Sequence, residues 1–259
     1  MFSLLNQIVQ VSWMNVQNIP QRLGSSLVIV IGIAGVVGVL TAMLSMAEGF
    51  QTTLGKGGSE DRAIVMRSGA TSELSSGINR EQADVIKGAV GIKRGEDNKP
   101  IAAAELLVIA DLPKASTHTL ANAAIRGVQQ ASFALRPEVQ ISEGRMFTFG
   151  TREVIVGKQA SAQFDHMQIG SKIAFRNSDW TVVGIFSANG GVHESELWAD
   201  AETVQSAYNR IGFQSVSVAL ESIDALTKFK DAITTDPRLQ MKVSTLKREA
   251  CRESMRNPL

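Results

Sequence analysis

Residues able to do chemistry are few along this chain and poorly spaced for it. Gly49-Phe50-Gln51-Thr52-Thr53-Leu54-Gly55-Lys56 has the glycines and the lysine of a phosphate-cradling loop. Five residues separate those glycines where four are needed, Gly57 stands where a hydroxyl must reach Mg²⁺, and no strand precedes it. We read it as a flexible exit from the apolar segment before it, so any ATPase must be another chain. His193-Glu194-Ser195-Glu196 offers ligand types, but neighbours in a loop do not converge on one ion, and no Cys or second His is near. A solvated loop is expected there; His118 and His166 stand alone in the sequence. A hydrolase nucleophile on a strand-to-helix turn needs Gly-x-Ser-x-Gly, which is absent. No catalytic residue, cofactor or metal ligand is assigned, and the chain is not read as an enzyme. Met14, Met43 and Met46 are read as packing residues rather than a metal path.

The elements that would position any functional residue are set by charge distribution. The chain has 259 residues with 26 Lys+Arg and 25 Asp+Glu, yet its first 47 residues hold one charged side chain, Arg22. A net charge of +1 excludes a nucleic-acid protein that relies on a basic surface. The lone Cys251 permits no intrachain disulfide. Between Arg22 and Glu48 run 25 uncharged residues, more than the roughly 20 that a helix needs to cross a bilayer. A cleaved leader has an apolar region of only about 7–15 residues behind a basic stretch. We therefore expect an uncleaved transmembrane helix over 21–48. Ala34, Gly38 and Ala42 form a ridge of small residues for packing against another membrane helix.

Residues 1–20 read as an amphipathic interfacial helix ended by Pro20. Asn6, Gln7 and Gln10 fall on one side, Leu5, Ile8 and Val9 on the other, and Trp13 lies near the border at headgroup depth. Arg22 before the span and the mixed charges after it favour a cytoplasmic amino terminus.

The remainder predicts an α+β domain. Ala63–Met66 is a strand, Ser68–Gly77 a loop, and Asn79 a helix N-cap with Gln82 in the capping-box position. Residues 93–100 form a charged turn, followed by strands at Glu105–Ala110 and Ala123–Val128. Glu153–Val156, Lys172–Phe175 and Trp180–Phe186 are further strands, the last two a hairpin through Asn177-Ser178-Asp179. Ser215–Leu220 alternates as a half-buried strand. Ile223, Leu226, Phe229 and Ile233 form one helical face, and Leu239, Met241 and Val243 a last strand. The expected division is a mixed α/β subdomain over 49–119 and 206–248, an inserted β-rich subdomain over 120–205, and an atypical tail over 249–259.

These residues, in this order, resemble the MacB/FtsX-type permease family of ABC transporters. Asn15 to Arg22 leads into a Gly/Ala-rich span closing on Ala47-Glu48-Gly49-Phe50, as at the family's start. Arg126-Gly127-Val128, Glu143-Gly144-Arg145-Met146-Phe147 and Glu153-Val154-Ile155-Val156-Gly157 follow in the family's order. Ile169-Gly170-Ser171-Lys172-Ile173 and Trp180-Thr181-Val182-Val183-Gly184-Ile185-Phe186 are similar to its hairpin. Gly144, Arg145, Phe147, Gly157, Gly170 and Gly184 are its structural motif positions.

The resemblance implies a protein of the bacterial inner (plasma) membrane, with its N-terminus cytoplasmic and residues 49–259 periplasmic; the chain itself carries a single pass. It implies a separate ABC ATPase subunit and a permease partner in a dimer, contact with membrane lipid, and no nucleic acid. Family members couple ATP hydrolysis to periplasmic movement. They continue into three further spans, so the chain is expected to be truncated, with a frameshift near residue 250. The alternative is a single-span periplasmic interaction or sensor module independent of an ATPase.

Overall fold

The computed structural model describes residues 2–17, 23–56, 61–176 and 178–245. Two compact units emerge, Met1–Thr52 and Thr53–Leu259. Pro20, Arg22, Gly57, Gly58, Asn177 and the tail 249–259 lie outside the described residues.

The first unit is helical: α1 (Phe2–Gln17) and all but the last four residues of α2 (Leu23–Lys56). Within α2, Leu27–Met46 is a run of 20 residues with mean hydropathy 2.8, about 30 Å of helix. Its apolar side chains, from Leu27 to Met46, are exposed all round, as suits a helix whose solvent is hydrocarbon. Thr41 returns its hydroxyl to the Val37 carbonyl at 2.7 Å, so its polar atom is satisfied within the helix. The helix also runs on to Lys56, where the composition suggests a flexible exit. Residues 49–56 contain no proline to stop it, and a helical backbone cannot form the phosphate cradle that their composition imitates.

The second unit is built on one sheet. Its strands are β1 (Arg62–Arg67), β2 (Ala102–Pro113), β3 (Leu120–Val128), β4 (Gln140–Gly144), β5 (Glu153–Gly157), β6 (Lys172–Phe175), β7 (Ser178–Ser187), β8 (Glu196–Asp200), β9 (Ser215–Ala219) and β10 (Met241–Thr245). They pair in the order β10-β1-β9-β2-β3-β8-β5-β7-β4, with β6 also on β7. The long strand β2 joins the two ends of this sheet. Ala102–Glu105 pair with β9 and Leu106–Pro113 with β3, both antiparallel. Parallel pairs, β3 with β8 and β5 with β7, are confined to the far side of β2.

Helices α3 (Arg80–Lys87), α4 (Ala131–Leu135), α5 (Lys158–Gln163), α6 (Ala201–Tyr208) and α7 (Ala225–Thr235) cover this sheet. Helix α3 starts where Asn79 accepts from the Gln82 N–H at 2.7 Å and Gln82 accepts from the Asn79 N–H at 3.2 Å, the reciprocal cap read from sequence. Ile86 of α3 and Phe229 and Ile233 of α7 pack on Val65, Val216 and Val218 in a first core. A second core gathers Leu106, Val108, Val156, Trp180 and Val204. A third, smaller one holds Phe147, Phe186 and Trp198. Ile223, expected on the helical face, lies before α7 and is exposed: Ser222 Oγ accepts from the Ala225 N–H and starts the helix two residues later. Leu239 is buried but precedes the strand it was expected to join.

Candidate functional site: a buried ion network held by glycine contacts

Strand pairing brings charged residues far apart in sequence into the middle of the fold. Arg126, on β3, is 2% exposed and faces three carboxylates. Its Nε and Nη2 form a two-pronged pair with Glu196 at 2.8 and 2.9 Å. Nη2 also reaches Glu73 at 2.9 Å, and Nη1 reaches Glu105 at 3.1 Å. Glu105, at 0% exposure on β2, takes a second guanidinium from Arg136 after α4. Two arginines thus meet three carboxylates. Neutral donors add to them: Ser215 Oγ to Glu73 and Trp198 Nε1 to Glu196, both at 2.7 Å. Each of the three carboxylates accepts from more than one donor, which is what makes charge tolerable in an apolar interior.

His193 completes the ring. Arg136 Nε donates to its Nε2 at 3.2 Å, so that nitrogen is the acceptor and Nδ1–H donates to Glu196, also at 3.2 Å. Arg136 lies over the Trp198 ring at 5.6 Å. The segment 193–196 is therefore not the solvated loop expected from its composition: Glu194 and Glu196 are buried. Burial alone would raise the Glu105 carboxyl, but Arg136 and Arg126 outweigh it and hold it below the ordinary value. Burial likewise opposes, and Arg126 overcomes, the shift that takes Glu196 well below the usual carboxylate range.

Three of the motif glycines mark close backbone approaches, and one of these, Gly157, meets the segment that carries His193. Gly144 and Gly184 are register partners of β4 and β7. A Cβ on Gly184 would lie 2.3 Å from the Arg145 carbonyl oxygen, and one on Gly144 2.4 Å from that of Val183. Two motifs forty residues apart are thus the two sides of one close backbone crossing. Gly157 ends β5 against the 3-10 turn Val192–Ser195, where a Cβ would lie 2.2 Å from the Glu194 carbonyl. Glu194 in turn accepts from the Ala188 and Gly190 N–H groups at 2.8 Å each, and so fixes the loop that delivers His193.

Arg145 is exposed and pairs both terminal nitrogens with Glu153. That hydrogen bond, countered by desolvation and aided by the Thr148 N–H, takes Glu153 down to about 2. Phe147 is buried beside Phe133 and Phe149, in the Trp198 cluster. Gly170 occupies a left-handed turn in open space, its N–H on the Val182 carbonyl at 2.7 Å. Ala34, Gly38 and Ala42 lie in α2, with nothing within 4 Å of where a Gly38 Cβ would sit.

Sequence reasoning misses the ion network itself. Arg126, His193 and Glu196 stand out in the sequence for other reasons, and a further trace is Glu105, a lone charge between Ala102-Ala103-Ala104 and Leu106-Leu107-Val108. The histidines isolated in sequence, His118 and His166, both approach Asp165, at 3.3 and 3.7 Å, as exposed side chains. Among the described residues no group of three or more ligating side chains is arranged for a metal. What the arrangement does is rigidify: it ties β2, β3, β8 and the 193–196 segment into one body.

An apolar helix long enough to cross a membrane, followed by a mixed α/β domain locked by a central ion network, defines a membrane-anchored protein with a folded domain. The chain belongs to the MacB-like periplasmic core domain family, which it matches over residues 25–236. Its fold is similar to the extracellular domain of the noncanonic ABC-type transporter YknZ from Gram-positive bacteria. The TM-score is 0.54 at 15% identity, over 71% of this chain and all of that one. It is equally similar to the periplasmic region of MacB from Actinobacillus actinomycetemcomitans, with TM-score 0.54 and 12% identity, over 82% of this chain and 99% of that one. No curated protein matches the sequence.

Proposed function

We propose that this protein is a permease-like membrane subunit of an ABC transporter, in which the domain after α2 meets a partner or substrate and a separate ATPase subunit supplies the work. The observation that carries this reading is the extent of the family match, which begins inside the apolar helix and continues through the domain to residue 236. Helix and domain are thus one family unit rather than a domain with an unrelated tether. The domain would move as a rigid body, because its buried ion network resists internal deformation.

In this reading the amino terminus is cytoplasmic, residues 49–259 are periplasmic, and the membrane is the bacterial inner membrane. The small ridge Ala34, Gly38 and Ala42 packs against a helix of a permease partner in a dimer. The domain divides into the mixed α/β part, 49–119 and 206–248, and the inserted β-rich part, 120–205. The two larger cores part within β2, not at residue 119: Ala102 and Ala104 sit in the first, while Leu106, Val108, Ala110 and Leu112 sit in the second beside residues of the inserted part.

Fusion of alkaline phosphatase after residue 60 tests the orientation; an active fusion is expected, and an inactive one overturns it. Affinity purification of the full chain from its native membrane tests the subunit composition. An ABC ATPase is expected to accompany it, and its absence after cross-linking contradicts the reading.

A further inference from the structure

A groove of about 850 Å³ opens on the second unit where the ends of β1, α3 and β10 meet the loop before β9, and four arginines line it: Arg67, Arg80, Arg210 and Arg238. Two of these are neutralised, Arg80 by Glu202 and Arg238 by Asp236. The guanidiniums of Arg67 and Arg210 have no carboxylate, carbonyl or aromatic partner among the described residues. Only Arg152 shares that condition among the described arginines, so two of the three arginines with unpartnered guanidiniums line one concavity. Glu81 is the single carboxylate in the lining, which leaves the groove with an excess of positive charge. Beside Arg210, Ile211 is 86% exposed, the most exposed large apolar side chain described.

An arginine pair next to a bare isoleucine is the composition of a docking surface, where arginine and apolar groups anchor and lysine is scarce. The shape selects among anions. The volume far exceeds that of a single phosphate, the groove is open along one side, and its walls carry amides such as Gln240. An acyl chain calls for an enclosed apolar wall, whereas an extended polypeptide uses an open groove with amides for its backbone and pockets for its side chains. We propose that this groove binds an extended acidic segment of a partner polypeptide, its carboxylates on Arg67 and Arg210 and an apolar side chain against Ile211. The inference rests on reading the domain as a partner-contacting unit.

The test uses the full chain in lipid nanodiscs and a rhodamine-labelled hexapeptide of alternating Asp and Leu, followed by fluorescence anisotropy. The Asp-Leu peptide is expected to bind, and its Lys-Leu counterpart is not. The double variant Arg67→Glu/Arg210→Glu is expected to weaken binding about tenfold or more, each tenfold corresponding to about 1.4 kcal/mol of binding free energy. Arg152→Glu, outside the groove, should leave affinity within about twofold, as a general charge effect would not. Ile211→Ser gives an intermediate loss, and circular dichroism checks that each variant is folded. The proposal is overturned if the acidic peptide fails to bind, if the Lys-Leu peptide binds equally, or if Arg152→Glu matches the double variant. Should an ATPase co-purify with the chain while the peptide fails to bind, the groove assignment alone falls.

Discussion

At the scale of single residues, the fold depends on partners that distance in sequence conceals. Arg126 and Glu196 are 70 positions apart, and Arg126 and Glu73 are 53 apart. Removing Arg126 takes the guanidinium from Glu73 and Glu196 and leaves Glu105 only that of Arg136, a loss of about 3–5 kcal/mol for a broken buried pair. Arg126→Met is therefore expected to shift denaturant unfolding of the full chain in detergent, followed by tryptophan fluorescence, by that amount; a shift below about 1 kcal/mol contradicts the network's role. Arg126→Lys should not rescue it, because an ammonium cannot serve Glu196 with two parallel donors. Acid acts on the same groups. The folded Glu105 and Glu196 carboxyls sit below their ordinary value of 4.5, so the unfolded chain binds more protons as pH falls. The stability they contribute is complete on the neutral side of 4.5 and drains away below it, which denaturant midpoints across that range will show. Gly184→Ala meets the Arg145 carbonyl and is expected to cost about 1–3 kcal/mol, with Gly170→Ala, set in open space, burdened only by its left-handed backbone.

Elements divide into those legible from local pattern and those made by tertiary packing. Strands such as β1, β5, β7 and β9 are visible in sequence because their apolar or β-branched runs are local, although β9, whose alternation predicts a half-buried strand, is buried on both faces with Ser215 and Ser217 inside. So is the start of α3, since Asn79 and Gln82 are three residues apart; Asn79→Ala is expected to lower stability by about 1 kcal/mol in the same unfolding assay. Helix α6 is not legible. It holds eight residues, too few for a periodic stripe, and its cap, Asp200 accepting from the Thr203 N–H at 3.1 Å, lacks the Glu or Gln three residues on that marks the start of α3. The loop 193–196 misleads for a related reason: its composition is that of a solvated turn, and only the arrival of Arg126 and Arg136 makes it buried. In the membrane unit, Gly38→Cys tests the ridge of α2. Oxidative cross-linking is expected to join it to a partner helix more readily than Val39→Cys, on another face, and equal yields would remove the ridge as a packing surface.

For the molecule as a whole, charge distribution announces the design, with one charged residue in the first 47 and the rest from Glu48 onward. The span, the α+β class and the family resemblance all follow from order and hydropathy, and the family match confirms the last of these. The strand order is not legible in the same way: β3 runs parallel to β8 across some seventy intervening residues, a pairing that no local pattern encodes. Nor is the groove at the ends of β1 and β10, which exists only because three distant loops converge. If this anchored domain works as part of an ATP-driven assembly, ATP must be hydrolysed by the complex affinity-purified on the full, cross-link-stabilised chain from its native membrane. The expected result is an ABC ATPase subunit in fixed ratio to the chain, with hydrolysis abolished when that subunit's phosphate-binding lysine is replaced. A chain that purifies alone, or with partners that hydrolyse no ATP, would contradict it.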